Sequence, residues 1–303
     1  MSPAAATSPL ADLEPKAARG EAFTRADAER VMACTDLVSI GVLGEAARKA
    51  HHGDNVSYVR VAVATRENWP ESAGDAGEVR IAVKPTSSDD ARACVRAGRE
   101  LAGRTPLTGF SAADLLELCG GDHLALAELA KQLKAEGLEA VAELPLDRLG
   151  DTENVIEVVR ALTHGGLNAP RATVDRATTG ERFDLIERAA AVQKATSAFK
   201  AFAPLPRQDP RDTPSTGYDD VKTIAIARLM CAGIAAIQVD WPLYGPKLAQ
   251  VAIAYGADDI DGVGAFDDPA AGTRRAPAQD VERQIKSAFA SPQPRNGRFE
   301  PRS

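Results

Sequence analysis

Residues 123–144 read His123-Leu-Ala-Leu-Ala-Glu-Leu-Ala-Lys-Gln-Leu-Lys-Ala-Glu-Gly137-Leu-Glu-Ala-Val-Ala-Glu-Leu144. The first fourteen residues carry an amphipathic helical pattern that stops at Gly137, and Leu138 to Leu144 then reads as a strand. The same unit recurs downstream. Helices are predicted over Thr152–Leu162, Arg182–Thr196, Asp219–Cys231 and Pro246–Tyr255. Strands are predicted over Ala169–Val174, Ala198–Pro204, Ile234–Val239 and Asp258–Gly262, with Pro170 weakening the first of these. Alternation of this kind defines an α/β chain with a parallel sheet, and its spacing is that of a TIM-like barrel.

Upstream the pattern is less regular. Thr24 is a candidate N-cap for a helix bearing Ala28, Val31 and Met32 on one face. A second helix starts at Asp36 and closes at His51-His52-Gly53, where paired histidines suit the negative end of the helix dipole and glycine suits the C′ position. Val56 to Val63 alternates like a strand, and residues 64–77 form a loop. Val79–Val83 and Pro106–Phe110 are further strands and Asp89–Leu101 a helix, with Ser111 and Asp114 expected to cap the helix that follows. The first barrel strands are therefore expected to be incomplete or distorted. The organisation predicted is a flexible leader over residues 1–22, a barrel with N-terminal helices over 23–265, and a C-terminal helix with a disordered tail over 266–303.

The 303 residues are 44% hydrophobic and 26% charged, enough apolar material for a sizeable core. Acidic residues number 43 against 36 basic ones, a formal charge of −7. That balance argues against a nucleic-acid partner and against an anionic membrane surface. No apolar run reaches the roughly 20 residues of a membrane helix, and the first residues lack a signal-peptide pattern, so a cytoplasmic protein is expected. Cys34, Cys94, Cys119 and Cys231 form no CxxC pair, and four reduced, largely buried thiols are the expectation.

Several segments carry a more specific signal. They are Asp36-Leu37, His51-His52-Gly53-Asp54, Lys134-Ala-Glu-Gly-Leu-Glu-Ala140, Gln193, Phe199-Lys-Ala-Phe-Ala-Pro-Leu205, Lys222 to Met230, Trp241, Gly245, Lys247 to Gln250 and Gly256-Ala-Asp-Asp-Ile-Asp-Gly262. In this order they resemble the radical S-adenosylmethionine (SAM) enzymes of futalosine-type menaquinone synthesis and deazaflavin synthesis, aminofutalosine synthase above all. Dehypoxanthine futalosine cyclase and the second subunit of FO synthase belong to the same group. The resemblance is strongest from Phe199 onward. It implies a radical SAM-type barrel, a [4Fe–4S] cluster and SAM. The family's C-x3-C-x2-C loop after its first strand has no counterpart in residues 64–77, and the SAM-binding stretches are reduced to Val141–Asp147 and Thr173–Thr178. The expectation from these departures is that both cofactor sites are lost and that no metal is bound. The chain would then be a pseudoenzyme that binds a pathway intermediate or an active radical SAM relative.

Five residues are candidates for a ligand site at strand C-terminal ends: Thr173, Asp175, Trp241, Asp258 and Asp261. Trp241 could stack on a polar aromatic or nucleoside-like ligand, or pack at the rim. The aspartates, Asp259 among them, could accept hydroxyl hydrogen bonds, or cap a helix and pair with Arg228 or Lys247. Gln193 and Arg228 read as shell residues. Arg207 and Arg211 lie in a proline-rich loop over the expected mouth and could pair with an anion. The alternative is a barrel recruited to acid/base chemistry through Asp258, Asp261 or Asp175.

Overall fold

The computed structural model describes residues 8–208, 216–266 and 278–302. Eight parallel strands make the barrel: β1 (Asn55–Ala64), β2 (Glu78–Ile81), β3 (Leu107–Ser111), β4 (Ala140–Pro145), β5 (Arg171–Val174), β6 (Ala201–Pro206), β7 (Ala236–Asp240) and β8 (Asp259–Gly264). They run in sequence order, β8 pairs with β1, and β1 pairs with β2, which closes the cylinder. The first strands are neither missing nor open. The ten residues of β1 reach β8 with Ser57 and β2 with Val61–Ala64, so one long strand spans both edges of the seam.

The helices are α1 (Glu14–Ala18), α2 (Arg25–Ala33), α3 (Leu37–His52), α4 (Ser88–Ala102), α5 (Ala112–Leu118), α6 (His123–Ala135), α7 (Thr152–His164), α8 (Thr179–Thr196), α9 (Gly217–Met230), α10 (Trp241–Ala254) and α11 (Ala278–Ser287). The predicted cap at Thr24 is present, and Asp36, expected as the first residue of the second helix, is its N-cap; each side chain accepts a backbone N–H. Ser111 precedes α5 without making a side-chain cap bond. α10 starts five residues before the expected Pro246, because Asp240 caps a first turn that Gly245, at φ 75°, joins to the rest.

Among the described residues, parts of the expected leader and tail carry regular structure. Residues 11–13 form a 3-10 turn leading into α1, and Leu10, Leu13 and Ala17 are buried. Ser8 Oγ donates to Ser39 Oγ at 2.7 Å, tying this segment to α3. At the other end, Ser291–Pro294 forms β9, parallel to the start of β1. Arg295 is buried and Gly297 N donates to Gly77 O. The C-terminal segment is thus a strap across the N-terminal end of the barrel. Its proline and arginine content suggested disorder, but β1 offers a free edge there and the barrel interior offers carboxylates.

Candidate active site and barrel interior

Residues two apart on a strand share a face. On the inner face this rule aligns Glu78 with Arg80, Gln238 with Asp240, Asp259 with Asp261, and Arg171 with Thr173. TIM-barrel interiors are commonly filled with branched apolar side chains; here charges fill much of that space. Arg80 is bidentate to Asp261 at 2.8 and 2.9 Å and also holds Glu78 at 2.8 Å. Arg171 Nη2 lies 3.3 Å from Glu78 and 3.4 Å from Asp261, and its Nη1 donates to Ala142 O at 2.6 Å. Lower down, Asp259 accepts from Arg295, Gln238 and Ser57.

Three carboxylates, Glu78, Asp259 and Asp261, thereby face three guanidinium groups, Arg80, Arg171 and Arg295. All six residues are buried. Burial by itself would raise Glu78 and Asp261, but the arginines outweigh it. Arg80 and Arg171 hold Glu78 down at about 2, and Arg171 and Arg80 hold Asp261 well below the carboxylate range.

Active sites of such barrels lie at the C-terminal ends of the strands. Arg207, just after β6, spans this mouth. It reaches Asp240 at the end of β7 and Glu143 on β4, both at 3.1 Å. Asp240 also accepts from Leu243 N at 3.0 Å. Burial pushes the Asp240 carboxyl upward, with Arg207 opposing. Thr173 Oγ1, Ser111 Oγ and Trp241 Nε1 are buried near these strand ends without a hydrogen-bond partner. Beside the mouth, Lys84, Asp114, Arg148, Asp175, Arg176 and Gln208 line a cleft of about 480 Å³.

The five predicted residues therefore separate. Thr173 and Asp175 stand at the mouth. Asp175 accepts from Gln208 at 3.1 Å and lies 3.9 Å from Arg148. Trp241 is adjacent but wholly buried as the first residue of α10, so it packs at the rim and presents no stacking face at the surface. Asp258 and Asp261 are not at the mouth. The strand expected to end at Gly262 runs on to Gly264, which leaves Asp258 at the opposite end of the barrel and Asp261 inside it. Asp258 is bidentate to Arg228 at 2.6 Å and accepts from Ile237 N at 2.8 Å. Burial raises its carboxyl, against the pull of Arg228. Gln193 bonds Phe199 and Gly233 backbone atoms, a shell role. Arg211 lies outside the described residues. Sequence reading missed Glu143 and Asp240 altogether. The signal available for Asp240 was its place at the end of a buried strand, one residue before Trp241.

A closed barrel of eight parallel strands ringed by helices is a TIM-barrel-like α/β fold. Solved structures show the same fold: methylornithine synthase at TM-score 0.64, 12% identity and coverage of 92% of this chain and 97% of that one, and the [FeFe]-hydrogenase maturase HydG at TM-score 0.64, 10% identity, 94% and 75%.

Sequence relationships are narrower. Residues 200–303 match the CofH/MqnC C-terminal region. Aminodeoxyfutalosine synthase of Thermus thermophilus is 28% identical over 191 residues, 55% of this chain and 51% of the relative. The 5-amino-6-(D-ribitylamino)uracil–L-tyrosine 4-hydroxyphenyl transferase of Methanothermobacter thermautotrophicus is 24% identical over 322 residues, 81% and 83%. The chain thus spans about half the length of the first relative, 51%, and most of the second, 83%. It is related to the radical SAM proteins of menaquinone and FO biosynthesis, as the resemblance read from the residues implied.

That relationship corrects one expectation. Loss of the [4Fe–4S] and SAM sites was inferred from the departures at residues 64–77 and in the later strands. The chain's relatives lie in the family that the resemblance endows with these groups, and no finding sets this chain apart as having lost them. The local fit is a separate matter. Residues 64–77 contain no thiol. Cys34, Cys94, Cys119 and Cys231 stand on or next to four different helices, α2, α4, α5 and α9. Three thiolates on one loop, the usual cradle of such a cluster, are not offered after β1, so the residues there do not fit that group. Among the described residues no helix is long and apolar enough to cross a membrane.

Proposed function

We propose that this chain is a binding member of the menaquinone and deazaflavin branch. Its barrel mouth takes a polar aromatic or nucleoside-like compound without turning it over, and an active radical SAM relative is the partner with which it would share that ligand. The observation that carries the reading is the set of buried polar atoms without partners at the mouth, Thr173 Oγ1 and Ser111 Oγ, beside Arg207 and Asp240. Buried hydroxyls left unbonded cost about 1–3 kcal/mol each, and a hydroxylated ligand would satisfy them. Asp175 and Gln208 in the adjoining cleft add an acceptor and a mixed donor–acceptor.

Acid/base chemistry is the second reading. It cannot run through Asp261, which two arginines keep ionised, or through Asp258, at the far end of the barrel. Asp240 is the carboxyl that fits it, being raised by burial and placed at the mouth.

The test is a thermal-shift series with L-tyrosine, 5-amino-6-(D-ribitylamino)uracil and aminodeoxyfutalosine, compounds named for the relatives. A ligand at 100 times its dissociation constant stabilises the fold by about 2.7 kcal/mol. Thr173→Val keeps the shape and removes the hydroxyl, so it should lose the shift while its own melting temperature stays level or rises. If none of the compounds moves the wild-type curve, the ligand reading fails. Disappearance of one of these compounds during incubation would favour the acid/base reading.

A further inference from the structure

The N-terminal end of a TIM barrel ordinarily serves stability, while ligands bind at the opposite end. Here that end holds two adjoining cavities. One, of about 310 Å³, is lined by Lys134, Lys200, Arg298, Glu139, Thr108 and Asn168 among others. The second, of about 670 Å³, shares Lys200 and Arg298 and adds His52, Asp258, Phe299 and Glu300. The strap after β9 contributes Arg298, Phe299 and Glu300, so it forms a wall of both spaces. Volumes of this size match those of small-molecule sites.

The charges around them do not balance locally. Glu139 is taken up by Arg99 at 3.3 Å and by Arg298 at 2.7 Å. Asp258 is taken up by Arg228, which lies outside the cavities. Arg295 is taken up by Asp259 below. Glu300 accepts from the Asn296 amide at 2.8 Å. Among the described residues, Lys134 and Lys200 have no ion-pair partner. In a chain of net charge −7, two lysines without an ion-pair partner among the described residues line one cavity together with Arg298, whose guanidinium holds a single carboxylate.

We propose that this end of the barrel is a second ligand site, taking a small compound with at least two negative charges, phosphate or carboxylate, held by Lys134, Lys200 and Arg298. The site is separate from the mouth and independent of the function proposed for it. Arg298 belongs to the strap while Lys200 precedes β6 and Lys134 ends α6. A bound dianion therefore crosslinks the strap to the barrel wall.

Calorimetric titration of the full chain at fixed ionic strength tests this, with sodium pyrophosphate and citrate as probes and chloride as the control. Saturable binding of either probe is expected, pyrophosphate identifying phosphate chemistry and citrate carboxylate chemistry. The double variant Lys134→Gln/Lys200→Gln should weaken it at least tenfold. Both lysines are exposed, so the variant should fold. Lys84→Gln, in the cleft at the mouth, should leave the affinity unchanged. Hydrogen exchange of residues 291–302 should slow in the presence of the probe. Absence of saturable binding overturns the proposal. So does binding that survives the double variant, or that Lys84→Gln abolishes.

Discussion

Arg295, near the end of the chain, closes a bidentate pair with Asp259 inside the barrel, Nε to Oδ2 at 2.5 Å and Nη2 to Oδ1 at 2.7 Å. Both residues are buried. Removing one member of such a pair strands an uncompensated charge and costs about 3–5 kcal/mol. Arg295→Ala should therefore lower the urea midpoint strongly. Arg295→Met combined with Asp259→Leu should recover much of the loss, since no buried charge is left alone. Equal destabilisation by the single and double variants would show that the pair contributes nothing specific.

The interior carboxylates make a prediction about acid. Glu78 titrates at about 2 in the folded protein, against an ordinary value of 4.5. Asp261 is lowered further by Arg171 and Arg80. A lowered folded-state pKa adds stability that is complete above the unfolded value and is lost as pH falls toward the folded one. Unfolding free energy should thus be flat with respect to these groups above about pH 5 and fall steeply between about 4.5 and 2. Glu78→Gln should flatten that fall while lowering stability at neutral pH. A wild-type profile with no loss below pH 4 would contradict the arrangement.

Much of the fold was legible because burial imposes its period on the sequence. The helices from α6 onward and the strands β4 to β8 follow the apolar patterning to within a few residues. The interior was not legible for the same reason. Glu78, Arg80 and Arg171 sit at inward positions where apolar residues are expected, so the period alone does not mark them as interior. Arg295 completes the balance from a segment whose composition resembles a disordered tail. At the candidate site, the expected end of β8 fell two residues early, and that shift put Asp258 and Asp261 at the mouth on paper when they lie at the far end and in the interior. Thr173 was correctly placed at a strand end because Val174 closes β5 as expected.

Helix α3 approaches the C-terminal end of α10 through a glycine. A Cβ at Gly44 would lie 2.4 Å from the Tyr255 carbonyl oxygen, whereas at Gly41, one turn earlier, the nearest atom would be 3.6 Å away. Backbone cannot swing aside as a flexible side chain can. Gly44→Ala should destabilise by about 1–3 kcal/mol despite the better helix propensity of alanine. Gly41→Ala should be neutral or stabilising by up to about 1 kcal/mol. Equal effects of the two in thermal unfolding would refute the close approach.

The thiols offer a check that needs no substitution. Cys231 is buried, and burial pushes its thiol up to about 12. Cys34, Cys94 and Cys119 are partly exposed, and burial raises Cys94 and Cys119 by less. The thiolate is the reactive species. Labelling with a disulfide reagent at pH 8 should therefore modify Cys34 first, Cys94 and Cys119 more slowly, and Cys231 only upon unfolding. In denaturant all four cysteines of the sequence should react. Fast labelling of Cys231 in the native state would show that α9 does not seal its C-terminal end against α8, where the thiol meets the Ile186 carbonyl at 3.6 Å.

Arg207 holds the mouth together, and its loss should separate binding from stability. It keeps about 20% of its side chain exposed and reaches Asp240 and Glu143 across the opening. Water can solvate what remains when it is removed, so the cost should be smaller than for Arg295. Arg207→Gln retains hydrogen-bonding capacity and releases Asp240 from its cation. Burial already raises the Asp240 carboxyl, and Arg207 is the main force opposing that rise. In the variant Asp240 should titrate higher than in the wild type, so any ligand that needs its ionised form should bind more weakly at pH 6 than at pH 8. The wild type should show a smaller dependence over the same range. Thermal-shift titrations at the two pH values, with Arg207→Gln beside Arg207→Gln/Asp240→Asn, decide the matter. The double variant should lose the pH dependence, and its persistence there would mean that some group other than Asp240 titrates at the mouth.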